Sequence, residues 1–319
     1  MKIYKLYWSD HNNLIILKKM EELIMKLATI TRDGIEEAGL VAHNGILPIK
    51  DLNTKFNQEW STDLFEIIKT GQLDEIKQWY QTEGKEQAAE LEAIFIPFQQ
   101  VEYAPLYRHP RKIWGIGLNY VEHAADLDEK APNTEPASFL KPDTTIIGPN
   151  DTINIPLQSE RTTAEAELGI IIGKECKDVS EEDAPNVIAG FTTIIDMTAE
   201  DILQKNPRYL TRSKSFDTFF SFGPHLVTPE EVEEVVNINV ATVINGDLHR
   251  KNIVSNMSFL PWHLVSFHSK VMKLLPGDII STGTPGAVVI RDGDIVECHI
   301  DGFEKLVNHV KDLKVNGGN

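Results

Sequence analysis

Two glutamates sit two positions apart in the run "EAELGIIIGK". Side chains alternate between the faces of a β-strand, so Glu165 and Glu167 would project from the same face. The continuation "LGIIIG" is apolar on both faces, as in a strand buried on both sides. A buried carboxylate is costly unless it is paired, protonated or bound to a metal. No Lys or Arg at strand spacing is placed to pair both. A third acid, Asp196, closes the similar run "VIAGFTTIID", so three carboxylates could converge where two strands finish. Such an all-oxygen set suits a hard divalent cation, Mg or Mn, and lacks the His or Cys that would favour zinc. An exposed polar face on an edge strand is the plainer reading of an arbitrary Glu-x-Glu, and here the apolar context opposes it.

The elements that must position these acids lie in the second part of the chain. After "APLYRHPRK" the sequence turns to short β-rich runs punctuated by Gly, Pro and Asp: "KIWGIGLN", "TTIIGPNDTINIP", "INVATVINGDLHR" and "GDIISTGTPGAVVIRDGDIVECHI". Before it, "KLATI" opens a strand and "GLVAHNGILPIKDLN" reads as a hairpin. The run "DLFEIIKTGQLDEIKQWYQTEGKEQAAELEAIF" is predicted to be helical from its apolar spacing. The expected organisation is an appendage over residues 1–24, a small N-terminal α/β domain over 25–105 and a catalytic domain over 106–319. Met25 is a second plausible beginning.

Composition narrows the partners. With 31 basic against 48 acidic residues and a formal charge of −17, the chain is a poor ligand for nucleic acid or an anionic membrane surface. Hydrophobic residues at 41% and charged residues at 25% are ordinary for a globular protein, and no apolar run approaches bilayer length. Cys176 and Cys298 are too few for a disulfide framework, and no signal-peptide pattern is present, so the cytoplasm is the expected compartment.

Over roughly residues 110–310 the motifs, taken in order, resemble those of the fumarylacetoacetate hydrolase family. "GIGLNYVEHAADL" is similar to its Gly-x-Asn-Tyr-x-x-His segment, "FLKP" to its lysine-bearing strand, "EAELGIIIGK" to its metal-binding strand and "AGFTTIID" to its third ligand. "KSFDTFFSFGPHLV", "INGDLHRKN" and "LLPGDIISTGTPGAV" follow. The resemblance implies an α+β fold, a mixed β-roll of layered sheets, in a homodimer with a Mg or Mn site acting on small anionic 2-oxo or 1,3-diketo acids. Chelation of the oxo group and its carboxylate would polarise the carbonyl and stabilise the enolate formed when the neighbouring carbon bond breaks. Hydrolysis or lyase cleavage of acylpyruvate-, fumarylacetoacetate- or oxaloacetate-like acids fits this chemistry. So does hydroxymuconate-type isomerisation, and a non-catalytic binding or scaffold protein is the alternative of another class.

The resemblance also assigns individual roles. Lys214 and Lys141 match positions near the substrate, although a solvated surface position is the plainer alternative, above all for Lys141. His123, with Asp126 one helical turn on where the family more often has Glu, would form a dyad that activates water. Thr282 and Thr284 in "STGTPG" and Gln204 in "DILQKN" match substrate contacts. In "DMTAEDILQKN" Glu200 stands where an arginine often meets the anionic substrate. A fourth inward acid needs compensation, and three outcomes fit: Glu200 turns outward, the pocket prefers a less anionic ligand, or, as expected here, Glu200 pairs with Arg208 or Arg212 and one of those arginines takes over the substrate contact.

Overall fold

The computed structural model describes residues 25–42, 45–84, 91, 94–122 and 132–315. By its internal contacts the chain divides into two compact units, Met1–Glu102 and Tyr103–Asn319.

In the first unit, β1 (Lys26–Arg32) and β2 (Ile35–Ala42) form an antiparallel hairpin. Its tight turn places Asp33 and Gly34 at φ 53° and 76°, the left-handed pair that matches strand twist. β3 (Gly45–Pro48) and β4 (Ile96–Pro97) extend this sheet in the order β4-β3-β2-β1. Helices α1 (Ile49–Phe56), α2 (Leu64–Thr70) and α3 (Gln72–Trp79) follow β3. The run predicted to be helical contains α2 and α3, separated because Gly71 adopts φ 78° and caps α2 before α3 begins. Asp63 caps the other end of α2 by accepting a hydrogen bond from the Glu66 amide at 3.0 Å.

The second unit is an α+β arrangement of two sheets. The strands of the first are β5 (Ile113–Gly117), β6 (Ala137–Lys141), β7 (Ile146–Ile147), β9 (Thr162–Ile172), β10 (Ile188–Ala199), β11 (Phe220–Phe222), β12 (His225–Val227), β15 (Ile279–Ser281) and β16 (Val288–Val289). Its main order is β12-β10-β9-β15-β5-β6. The other sheet runs β14 (Asp247–Ile253), β13 (Asn239–Ile244), β17 (Ile295–Ile300), β18 (Leu306–Asp312) and β8 (Thr152–Ile155).

The central pair β9–β10 is antiparallel and every residue in it is buried. Along β9 the even positions Ala164, Ala166, Leu168, Ile170 and Ile172 join one apolar core with Val240 and Ile244 of β13 and Val296 and Ile300 of β17. Thr242 of β13 ties the layers together, its hydroxyl accepting the Ala166 amide at 3.1 Å. Period-two alternation therefore sends Glu165 and Glu167 to the face away from that second sheet. Helices α4 (Glu200–Lys205) and α5 (Leu210–Lys214) follow β10 on the chain, and α6 (Pro261–Val271) carries His263 and the buried His268. Cys176 and Cys298 are buried free thiols. Among the described residues no helix is long and apolar enough to cross a membrane.

Candidate metal centre

The β-ladder register builds the acidic cluster. Asp196 on β10 lies directly opposite Glu165 on β9, and Glu167 is the next residue on the same face of β9. Each of the three offers a carboxylate oxygen lying within 4.8 Å of the others, and all three side chains are buried. The meeting point is inside the ladder. Pairing continues as far as Ala199 opposite Thr162, so the strands do not finish at the acids as their sequence suggested.

Two buried lysines share the site. Lys214, at the end of α5, places its ammonium 3.1 Å from Glu165 Oε2 and 2.8 Å from Asp196 Oδ2. The same ammonium stands 5.0 Å from the centre of the Phe139 ring, within cation–π range. Lys141, the last residue of β6, reaches Asp196 Oδ1 at 2.5 Å with a fully enclosed side chain. Lys141 is therefore not the solvated surface lysine of the plainer alternative, and the acids have cationic partners from outside strand spacing. The cations arrive from β6 and α5, elements that strand spacing along β9 does not reveal. Lys141 holds a carboxylate of the cluster and does not line the cavity beside it.

Electrostatics divide the three acids. Burial alone would push the Asp196 carboxyl up, but Lys141 and Lys214 outweigh it and hold the group below its ordinary value. Glu167 has no lysine contact among the described residues. It accepts the Ser281 hydroxyl at 2.5 Å and the Gly283 amide at 2.8 Å, both on Oε2. Burial, then the charges of Asp196 and Glu165, push it up to about 8. Lys214 is raised: burial works against its charge, and the three carboxylates prevail. Lys141 is lowered, by burial first and by Lys214, against the pull of Asp196. A divalent cation bound there would displace the proton that burial favours on Glu167 and hold all three acids as carboxylates. The donor set of carboxylate oxygens, without His or Cys, fits Mg or Mn.

Hydrogen bonds that the sequence reading missed orient the cluster. Thr198 donates its hydroxyl to Glu165 Oε1 at 2.7 Å. Asp196 and Thr198 are two apart on β10, the same alternation that exposed the glutamate pair. Ser281 and Gly283 serve Glu167 from β15 and the turn after it. Asn119 clamps that turn, its amide nitrogen donating to the carbonyls of Thr282 and Phe259 at 2.7 and 3.0 Å.

A cavity of about 480 Å³ opens beside the centre. Glu165, Lys214, Thr198, Phe139, Glu200 and Gln204 are among the residues lining it. Gln204 donates to Glu200 Oε1 at 3.1 Å. Glu200 is paired with Arg161, whose Nε lies 2.7 Å from Oε2, and not with Arg208 or Arg212. Register explains the choice: Thr162 pairs with Ala199, and the Glu200 amide then bonds the Arg161 carbonyl at 2.8 Å, which sets the two side chains together. Arg208 and Arg212 are exposed and do not line the cavity, so the arginine takeover is not what the structure displays. The Thr282 hydroxyl donates to the Leu168 carbonyl at 2.9 Å and that of Thr284 to the Gly286 carbonyl at 3.2 Å. Both threonines are buried in backbone contacts and neither lines the cavity. His123 and Asp126 lie outside the described residues.

Residues 112–311 match the family described as fumarylacetoacetate (FAA) hydrolase, C-terminal. The chain belongs to the fumarylacetoacetate hydrolase family. Among curated proteins it is 37% identical over 211 residues to the mitochondrial oxaloacetate tautomerase fahd2 of Xenopus laevis, covering 63% of this chain and 66% of that protein. The crystal structure of maleylpyruvate hydrolase from Sphingobium sp. SYK-6, in complex with manganese(II) and pyruvate, superposes with a TM-score of 0.71 at 27% identity, over 90% of this chain and 99% of that one. A 5-carboxymethyl-2-hydroxymuconate delta-isomerase from Mycobacterium smegmatis gives a TM-score of 0.62 at 36% identity, over 68% of this chain and 82% of its own. Members similar to this chain thus include a hydrolase, an isomerase and a tautomerase.

Proposed function

We propose that this family member is a divalent-metal-dependent hydrolase or lyase that cleaves a carbon–carbon bond in a 2-oxo or 1,3-diketo acid. The observation that carries the reading is the buried triad Glu165, Glu167 and Asp196, of which Glu165 lines, together with Lys214, a cavity large enough for a small acid. A relative of the same fold was crystallised with manganese and pyruvate, a 2-oxo acid. A Mg or Mn ion held by the triad would supply Lewis acidity toward a chelating 2-oxo acid.

The protein's own residues do the remaining work. Asp196, fixed by Lys141 and Lys214, keeps its charge and its direction. Thr198, Ser281 and the Gly283 amide orient the two glutamates. Lys214 presents a positive charge at the cavity wall, where negative charge develops as the bond breaks. In hydrolysis of an acylpyruvate, water adds to the distal carbonyl carbon. The electron pair of the breaking carbon–carbon bond passes into the enolate of the 2-oxo acid, and a proton then restores the keto form. His123, oriented by Asp126, is proposed to take the proton from that water. A homodimer is part of the same proposal, and light scattering at micromolar concentration tests it.

The deciding experiment assays acylpyruvates, oxaloacetate and a fumarylacetoacetate-like diketone with Mg, with Mn and with a chelator. Metal-dependent cleavage of at least one acid is expected. Double-bond migration without cleavage would move the assignment to an isomerase, and inactivity throughout to a binding protein.

A further inference from the structure

Glu200 adds to the cavity an acid that is not part of the triad. Its side chain lines the cavity together with Glu165 and Lys214, so a substrate held at the metal centre shares the cavity with this acid. Both carboxylate oxygens are engaged, Oε2 by Arg161 and Oε1 by Gln204, so the group is held in place. Arg161 is half exposed and is not among the lining residues, so its charge is screened by solvent. Among the described residues most of the remaining lining is apolar, including Phe139, Leu203, Pro207, Leu210 and Ala287. Lys214 is the cation that lines the cavity among the described residues, and its hydrogen bonds are committed to Glu165 and Asp196.

Resting on the function proposed above, we infer that the substrate is a monocarboxylic 2-oxo acid whose distal chain is uncharged, and that Glu200 is the residue that rejects a second carboxylate. A terminal carboxylate would lose its hydration against the apolar lining and meet a like charge, and among the described residues no ammonium or guanidinium other than Lys214 lines the cavity to receive it. A methyl-terminated chain of the same length would bury against Phe139, Leu203 and Leu210 instead.

Butyrylpyruvate and succinylpyruvate have the same number of carbons and differ in a terminal methyl against a terminal carboxylate. The Mn-loaded protein is expected to show a kcat/KM at least about tenfold higher for butyrylpyruvate. Glu200→Gln preserves partners for Arg161 and Gln204 while removing the charge. It should bring the two acids within about threefold of each other, mainly by raising the value for succinylpyruvate. Arg161→Gln, which unshields Glu200, should widen the gap. Calorimetry with the non-cleavable pair 2-oxohexanoate and 2-oxoadipate supplies a reading independent of turnover, and the same order of affinities is expected. Equal use of both acylpyruvates, preference for succinylpyruvate, or a ratio unmoved by Glu200→Gln overturns the inference. Turnover of either acid upholds the proposed function whatever the ratio. Tighter binding of 2-oxohexanoate without any cleavage upholds the selectivity and sinks the hydrolase. Failure to bind either non-cleavable acid, with no turnover, ends both.

Discussion

Lys214 and Lys141 hold opposite oxygens of Asp196, at 2.8 and 2.5 Å, so the acid that joins β10 to the metal centre is fixed on both sides. Removing one partner of a buried ion pair leaves an uncompensated charge, typically at a cost of about 3–5 kcal/mol. Lys141→Met is expected to fall near the lower end of that range, because Lys214 still faces Asp196. Urea denaturation measures it, and saturating Mn should recover part of the loss by binding the native state. An unchanged midpoint would show that Lys141 contributes nothing to the cluster.

Glu167 differs from its neighbours in having hydrogen-bond donors and no lysine. Glu167→Gln keeps an oxygen for Ser281 and Gly283 but removes a ligand charge. Mn affinity should drop at least tenfold, about 1.4 kcal/mol, while the unfolding midpoint of the metal-free protein stays the same or rises. Calorimetry that returned the original affinity would take Glu167 out of the ligand set.

The acids were legible in the sequence because β alternation is local: Glu165, Glu167 and the buried run after them carry their own register. The fold class followed from the ordered motifs. Lys141 and Arg161 show where that legibility stops. Lys141 meets Asp196 through the placement of β6, and Arg161 meets Glu200 because β9 pairs with β10 in one particular register. Neither is a property of a short window. Thr282 and Thr284 mark the converse case, in which a motif correctly located a turn beside the centre and the hydroxyls were spent on the backbone. Apolar periodicity made α2 and α3 legible as helix but not the break between them at Gly71, whose φ is left-handed.

His268 should make the fold sensitive to acid. Its Nδ1 lies 2.7 Å from the Leu264 carbonyl, which fixes the proton there, and Nε2 is buried without a partner among the described residues. Burial lowers its pKa, against the Leu264 hydrogen bond and with some help from His263. The native state therefore refuses a proton that the unfolded chain accepts below about 6.5. Stability is fully present above that value and falls as pH drops through it, by at most about 1.4 kcal/mol per unit, until the native pKa is reached. Urea midpoints near pH 7.5 and 5.5 should differ less in His268→Gln than in the parent. Equal slopes for the two proteins would refute the assignment.

Gly283 joins backbone geometry to metal affinity. It sits at φ 96°, a conformation that strains any residue with a side chain, and a Cβ there would stand 2.8 Å from Asn119 Cβ and 3.0 Å from the Ile116 carbonyl oxygen. Its amide is also the 2.8 Å donor to Glu167 Oε2. Gly283→Ala must therefore shift the turn, and the donor moves with it. A loss of about 1–3 kcal/mol of stability is expected from strain and overlap, together with weaker Mn binding. Gly246→Ala separates the two effects. Gly246 has φ 87° with nothing within 4 Å of its Cβ position and lies in the β13–β14 turn, so it should lose stability from strain and leave Mn affinity as it was. If both variants weaken Mn binding equally, the loss reflects general destabilisation, and the Gly283 amide has no special part in holding Glu167.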